Sequence, residues 1–482
     1  MTSLASPEIA HPSDTSAKAL LLSSSLLTDR MMLYSDFLTT LSQRASVSVW
    51  ATSRSHQATE SLWSDAPVTA EPFPHVGPFR EFPYNYLRRL NEFTWDYRLR
   101  PPSRMSMMRH VRSKTQAPHV RALRLPARAL AALRLERVLE SGVERALLSY
   151  RRSPDAAKRL AALRPDLVVT TGPHRFEEPG VVREAKMQGI RTMALITSWD
   201  NLSTKHRLTF SYDSFLLWSE QMRGELREFY PGTRDLPVYV TGAPQFDVFF
   251  QPRFHQTREE FCAANGLKPE LPIVLHVLGS PNFVREHHGA AFLAERVTKG
   301  ELGDVQLLVR PHPLFDNGAE ADALRGFGPP VVVQRTGSKG APLSARSQDA
   351  TQIVNWVNTF RHANVLVNMG STATIDAAVC DVPAIILDYD PEPGRPNQAL
   401  VNDTNHVWTH LRPITTSGGV TLVDSPERLV EAIRVYLKSP ELHREKRRWM
   451  AEHVCGFVDG KNGERMGRAI ADFMALKPSG RR

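Results

Sequence analysis

Short apolar runs separated by amphipathic stretches recur along this 482-residue chain, and their spacing predicts strands alternating with helices. Residues 18–24 and 46–52 (SVSVWAT, with β-branched side chains at alternate positions) read as strands, with a helix over 31–43 between them. The stretch 54–120 is irregular and rich in proline and aromatic residues, and the pattern is helical from there to about residue 163. Strands resume at 166–171, 191–197, 214–218 and 238–241, with helices over 180–188 and between the last two strands. A second series follows a linker near 251–254, with strands at 273–277, 306–309, 331–334, 365–368 and 384–387. The tail is helical, opened by Asp424-Ser425-Pro426, a capping residue followed by proline at the first helical position.

Such alternation with short turns predicts βαβ units and parallel sheets. The expected fold class is α/β, with two Rossmann-like domains facing a central cleft, where ligands meet the carboxyl ends of the strands. Residues 1–16 are expected to be disordered, 17–250 to form the N-terminal domain and 251–482 the C-terminal domain. The composition, 41% hydrophobic and 23% charged, is that of a globular protein. No run approaches the roughly 18 apolar residues of a membrane span. The best candidate, 19–27, is short and contains three serines, and reads as a buried strand rather than a signal peptide. Cys262, Cys380 and Cys455 lie far apart without CxxC spacing, which excludes a disulfide framework and an ordinary zinc cage. No metal site is expected, and a reducing cytoplasm fits.

Charge changes the picture in one place. Between residues 80 and 164 there are 20 Lys or Arg against 7 Asp or Glu, a net of +13 in a chain whose total is +9. This segment reads as a basic helical insertion. It is either a solvated helical face or a surface drawn to an anionic partner, such as phospholipid headgroups on the inner face of the membrane or a polyanionic acceptor. Nucleic acid is not expected, since no zinc finger, helix-turn-helix or aromatic-interleaved basic strand accompanies the charge.

The chemistry concentrates in four loops. In 365–390 an apolar strand ends at Asn368, Gly370 permits a tight turn, and Ser371 and Thr372 open a helix. The free amides and positive end of that helix form an anion site, and glycine lets a phosphate approach the backbone. Ser371 as a plain helix cap is the alternative, and the local pattern does not separate the two. In 307–313, Arg310 and His312 follow a strand in a proline-stiffened turn, and guanidinium and imidazole beside the Gly-Ser-Thr turn favour a diphosphate site. No GxGxxG or Walker pattern is present. In the N-terminal half, 170–175 (TTGPHR) carries His174, and 196–205 carries Asp200, Asn201 and Lys205, polar groups on loops aimed at the cleft. A structural turn at Trp199-Asp200-Asn201 is the competing reading.

With SWDNLSTK (198–205), VTGAPQFD (240–247), LVRPHP (308–313), NMGSTATIDAAVCDVPAIILDYD (368–390) and GFVDGKNGER (456–465), the chain resembles the GT-B superfamily. Within it, the likeness is to CDP-glycerol glycerophosphotransferase-like and surface-carbohydrate transferases, over about residues 167–475. The resemblance implies a nucleotide-sugar or CDP-polyol donor in the C-terminal domain, with Asp376 on its ribose or sugar. It also implies a glycan or lipid-linked acceptor in the N-terminal domain, and no resident cofactor or metal. Ser23-Ser24-Ser25 departs from the glycines that many relatives carry in the first loop. The implied reaction is transfer of a glycosyl or glycerophosphoryl group to a hydroxyl in cell-surface glycan or glycolipid synthesis. Gly370, Ser371, Thr372, Arg310 and His312 would stabilise the leaving phosphate, and His174 or Asp200 would act as base. His174 is preferred because imidazole needs no large pKa shift to act near neutrality. A non-hydrolysing UDP-sugar epimerase shares the implied fold, and an inactive GT-B scaffold is the non-enzymatic alternative. A nucleotide-releasing hydrolase would need a water-activating cluster that the sequence does not display.

Overall fold

A computed structural model describes residues 17–55, 59–76, 82–112, 116–149, 153–280, 283–312, 318–335 and 349–476. The expected disordered segment 1–16 lies outside the described residues. The first sheet comprises β1 (Lys18–Ser23), β2 (Ser46–Ala51), β3 (Thr69–Pro72), β4 (Leu167–Thr170), β5 (Arg191–Leu195), β6 (Ser214–Leu217) and β7 (Val238–Val240), in the order β3-β2-β1-β4-β5-β6-β7 and parallel throughout. The second comprises β8 (Ile273–Val277), β9 (Gln306–Arg310), β10 (Val331–Val333), β11 (Val365–Asn368), β12 (Ala384–Leu387) and β13 (Val420–Val423), ordered β10-β9-β8-β11-β12-β13 and again parallel.

Helices cover both faces of each sheet, which is why the central strands are unbroken apolar runs. In β1, Leu20 and Leu22 enter one core layer while Ala19 and Leu21 enter the layer on the opposite face. Two strands escaped the pattern. β3 (TAEP) is an edge strand with mostly exposed side chains and a proline, and β13 (VTLV) is buried only at its ends. The helix expected over 31–43 is two helices, Leu26–Leu33 and Phe37–Ser42.

Helix begins much earlier than the expected residue 120. Tyr84–Leu99, Pro102–His110, Pro118–Ala122, Arg124–Ala132, Glu136–Ser149 and Pro154–Leu163 form the basic insertion. Its charge is partly internal: Arg88, Arg104 and Arg112 are buried, the last two against the carboxylates of Asp96 and Glu92. Neither a wholly solvated face nor a wholly anion-facing one describes the segment.

The last helix of the C-terminal unit expected over 251–482 crosses to the first sheet. The helix Asn462–Ala475 leaves the second sheet and packs on Phe37–Ser42, placing Met466, Ile470 and Phe473 in the same core layer as Leu21 and Val169. Gly463 and Gly467 permit that approach, because a Cβ on Gly463 would lie 2.8 Å from Ser35 Cβ and one on Gly467 3.0 Å from the Phe37 carbonyl oxygen. Among the described residues no helix is long and apolar enough to cross a membrane.

Candidate functional site

At the carboxyl end of β11, Gly370 takes φ +75°, a conformation that glycine alone adopts without strain. The turn is tied internally. Asn368 Nδ2 donates to Thr374 Oγ1 at 2.9 Å and to Ser371 Oγ at 3.2 Å, and Gly370 N donates to Asn368 Oδ1. Ser371 Oγ caps the helix Thr372–Val379 by accepting from Ala373 N at 3.3 Å, so the plain capping role is realised. Below the turn, Glu286 is buried and accepts from Gly279 N at 2.8 Å. Burial pushes its carboxyl up to about 8, against the backbone donors of Gly279 and Met369.

Arg310 donates to Gln334 Oε1 at 2.8 Å and bears electrostatically on Asp376, one turn into the same helix. Asp376 is buried, and burial pushes its pKa up to about 8, with Arg30 and Arg310 pulling the other way. Arg30 comes from the opposite domain, on Leu26–Leu33, and stacks over the Trp356 ring at 3.7 Å. Burial lowers its guanidinium to about 10, offset by Asp376. Two arginines from two domains thus bear electrostatically on one carboxyl group. His312 instead lines a small crevice with Glu286, His287 and Glu320.

The N-terminal wall centres on Asp200, after β5. Its carboxylate accepts from Ser198 Oγ at 2.6 Å and Thr204 Oγ1 at 2.9 Å, with Lys205 Nζ at 3.6 Å. Burial opposes ionisation, but Lys205, His410 and those hydroxyls hold its pKa well below the usual carboxylate range. Asn201 is buried in the short helix Asn201–Thr204, and half of the Lys205 side chain is exposed. His410 joins from the other domain, packing edge-on to Trp199 at 5.0 Å, with burial lowering its pKa to about 4. Trp199 Nε1 donates to Thr372 Oγ1 at 3.4 Å, which sets the Asp200 loop against the Gly-Ser-Thr turn.

His174 stands near this group, but burial, and then Arg175, lower its pKa to about 3. The premise that it needs no shift is corrected: a dry pocket disfavours the imidazolium. In the first loop the three serines serve the fold. Ser23 Oγ donates to Asp29 at 2.5 Å, Ser24 Oγ to Glu178 at 2.6 Å, and Ser25 Oγ accepts from Leu27 N. Glu178 also accepts from Thr171 N and Gly172 N, both at 2.8 Å, and so locks the ends of β1 and β4 together.

The insertion braces these loops. Arg88 donates to the carbonyls of His174 and Arg175, Arg104 to Leu202 O at 2.7 Å, and Arg112 to Thr204 O at 3.1 Å. Arg30, Glu178, His410 and this brace were missed by sequence reasoning. Arg30, charged within an otherwise largely apolar helical run after the first strand, carried a usable signal, whereas His410 carried none.

No protein-family model and no curated protein matches the chain. Solved structures do match its fold. A UDP-GlcNAc 2-epimerase from Neisseria meningitidis bound to UDP-GlcNAc aligns at 12% identity over 94% of this chain and 100% of the other, with TM-score 0.53. One from Methanocaldococcus jannaschii in complex with UDP-GlcNAc and UDP aligns at 14% over 94% and 99%, with TM-score 0.52. A glycosyltransferase from Rickettsia africae aligns at 10% over 95% and 99%, with TM-score 0.52. The fold is GT-B. At these identities the likeness is one of architecture, and the cleft between the two sheets is where that architecture places its ligands.

Proposed function

We propose that this GT-B protein is an enzyme that binds a nucleotide-activated sugar or polyol in the cleft and transfers its glycosyl or glycerophosphoryl group to a hydroxyl acceptor, without a metal ion. The observation that carries the reading is the 3.4 Å contact between Trp199 and Thr372, which brings the Asp200 loop to the turn best suited to a phosphate. Gly370, Ser371 and Thr372 would hold the donor diphosphate by backbone amides, with Arg310 and Arg30 supplying charge and Asp376 reaching the ribose or sugar. His312, in its crevice, would border the donor rather than clasp it.

In the transfer, the acceptor oxygen bonds to the anomeric carbon. The bond from that carbon to the donor phosphate oxygen breaks with its electron pair, and the acceptor proton passes to the base. With a CDP-polyol, attack falls on phosphorus and CMP leaves. Of the two candidates Asp200 is the more accessible, with 23% of its side chain exposed against a nine-tenths buried His174, although Lys205 and its hydroxyl donors make its carboxylate a weak base. Asn201 and Lys205 would orient the acceptor.

Leu125 and Leu133 are 76% and 68% exposed among the exposed Arg121, Arg128 and Arg134, which suits a lipid-linked acceptor at an anionic membrane in surface-glycan synthesis. A second reading, epimerisation of a UDP-sugar, is favoured by the match to two UDP-GlcNAc 2-epimerases over 94% of the chain. The deciding experiment incubates the protein with UDP-GlcNAc, UDP-glucose or CDP-glycerol, with and without octyl glycoside acceptors and Mg²⁺, and analyses nucleotide and sugar products. Nucleotide release that requires acceptor supports transfer, and a new sugar nucleotide without acceptor supports epimerisation. Donor binding with no product from any mixture would leave the inactive scaffold and sink the enzyme reading.

A further inference from the structure

One helix of the insertion reaches both domains. Pro102–His110 carries Ser103, Ser106 and His110 along one face, at the spacing that aligns side chains on a helix, and Arg104 and Met108 on the other. Ser103 and Arg104 are 0% exposed and Ser106 is 1% exposed. A helix with buried polar side chains on two faces is packed by protein from both sides.

The two faces meet different partners. On the arginine face, Arg104 donates to Leu202 O at 2.7 Å, and Arg112, just beyond the helix, donates to Thr204 O at 3.1 Å. Both carbonyls belong to the loop that carries Asp200. On the serine face, Ser106 Oγ accepts from Trp408 Nε1 at 2.9 Å and Ser103 Oγ from Thr409 N at 2.7 Å. His110 and Arg109 lie 3.0 and 3.3 Å from Asp403. These partners stand in 403–410, beyond the last strand but one of the second sheet.

That segment lies against the Gly370 turn. In the helix Gln398–His406, Asn405 Nδ2 donates to Leu387 O at 3.0 Å and to Asp388 Oδ1 at 2.9 Å, at the end of β12. Asn405 Oδ1 stands 3.4 Å from the position that a Cβ on Gly370 would take. The third side of the triangle closes directly, with Ser203 Oγ 3.4 Å from His410 Nδ1. The pair of Arg109 with Asp403 contributes least, because Arg109 is 65% exposed. The serine bonds are buried and directional, so they hold a register that an apolar contact would let slide.

We propose that Pro102–His110 is a positioning helix that couples the two walls of the cleft, its serine face holding the segment against the Gly370 turn and its arginine face holding the Asp200 loop. Loosening one contact then loosens the opposite wall, because coupling of this kind is reciprocal. What the walls bind rests on the function proposed above, whereas the coupling between them does not.

The test is hydrogen–deuterium exchange of the full chain, read by mass spectrometry with and without UDP. Ser103→Ala combined with Ser106→Ala removes the acceptors for 408–409 and leaves every residue of the Asp200 loop in place. Exchange of 198–205 should quicken about tenfold, the worth of one buried hydrogen bond, while β8 and β9 exchange as in the wild type. UDP should slow 368–376 in both proteins and 198–205 in the wild type alone. Quickening confined to 403–410 overturns the coupling, as does uniform quickening of the whole chain, which would make the serines general stabilisers. Protection of 198–205 by UDP that survives the substitutions overturns it as well. If the double variant does not fold, Ser106→Ala alone carries the comparison. UDP that binds neither protein sinks the donor reading, and exchange without ligand then decides the coupling.

Discussion

Trp199 reaches from the end of β5 and donates its indole N–H to Thr372 Oγ1, closing a 3.4 Å contact between residues 173 positions apart. One stands in the most polar loop of the first sheet, the other in the first turn of the helix that follows β11. The contact sets the Asp200 loop beside the Gly370 turn. His410 packs edge-on to the same indole at 5.0 Å.

Thr372→Val keeps the shape of the side chain and removes the acceptor. The indole N–H is then left without its bond, and the cleft loses one of the contacts across it. Affinity for UDP, measured by calorimetry, is expected to fall about tenfold with little change in melting temperature, the worth of one hydrogen bond to a ligand-facing residue. Unchanged affinity would detach the contact from ligand binding.

Arg30→Met separates charge from volume. The guanidinium is buried over Trp356 at 3.7 Å, and because burial keeps Asp376 largely protonated below about pH 8, its removal leaves no bare buried carboxylate. Nucleotide binding should suffer instead, by about tenfold or more, because a charged donor to phosphate contributes about 1.5–3 kcal/mol. A variant that melts well below the wild type yet binds UDP with unchanged affinity while folded would show that Arg30 serves packing.

Asp376 makes the fold pH-sensitive. Burial raises its pKa from 3.8 to about 8, so the native state holds a proton that the unfolded chain has lost. That contribution is fully present below the unfolded value and disappears as pH rises through about 8. Melting temperature should therefore fall between about pH 4 and about pH 8 and level off above, and Asp376→Asn should flatten the fall. Glu286, also raised to about 8, contributes in the same direction, so Glu286→Gln should flatten it further. UDP affinity is expected to weaken as pH rises through about 8, where Asp376 ionises in the folded protein and opposes a diphosphate.

The strands were legible because parallel strands buried on both faces must be continuous apolar runs, as Leu20, Leu21 and Leu22 illustrate. The Gly370 turn was legible because a strand, a glycine and a capping pair follow in sequence. The insertion was not. Arg104 and Arg112 are buried against Asp96 and Glu92, and a charge at a buried position reads as surface in any hydropathy pattern. His410 belongs to the site only through the approach of two domains, which no local pattern encodes. His174 was found in sequence, but its depressed pKa follows from burial and could not be.

Gly456 offers a test of how the two domains are joined. It sits at φ +79°, and a Cβ there would lie 2.1 Å from the Trp218 carbonyl oxygen, a backbone atom that cannot swing aside. Gly456→Ala should cost more than the roughly 1–3 kcal/mol of ordinary overpacking, because strain at positive φ adds to the clash. Urea unfolding is the measurement, and a loss below about 1 kcal/mol would mean the junction yields easily.

The brace under the Asp200 loop yields the last prediction. Arg104, wholly buried, pairs with Asp96 at 3.2 Å and donates to Leu202 O at 2.7 Å and Tyr230 OH at 2.9 Å. Arg104→Met removes the hydrogen-bonded partner of buried Asp96 and leaves only Arg112 at 4.0 Å, which costs up to about 3–5 kcal/mol. Adding Asp96→Leu removes that carboxyl group, and the double variant should recover most of the stability while the Leu202 carbonyl stays unsupported. Catalytic turnover should then remain depressed in a protein that melts almost as the wild type does. Recovery of both together would make the ion pair a packing device only, and recovery of neither would mean that the Leu202 and Tyr230 bonds carry the stability.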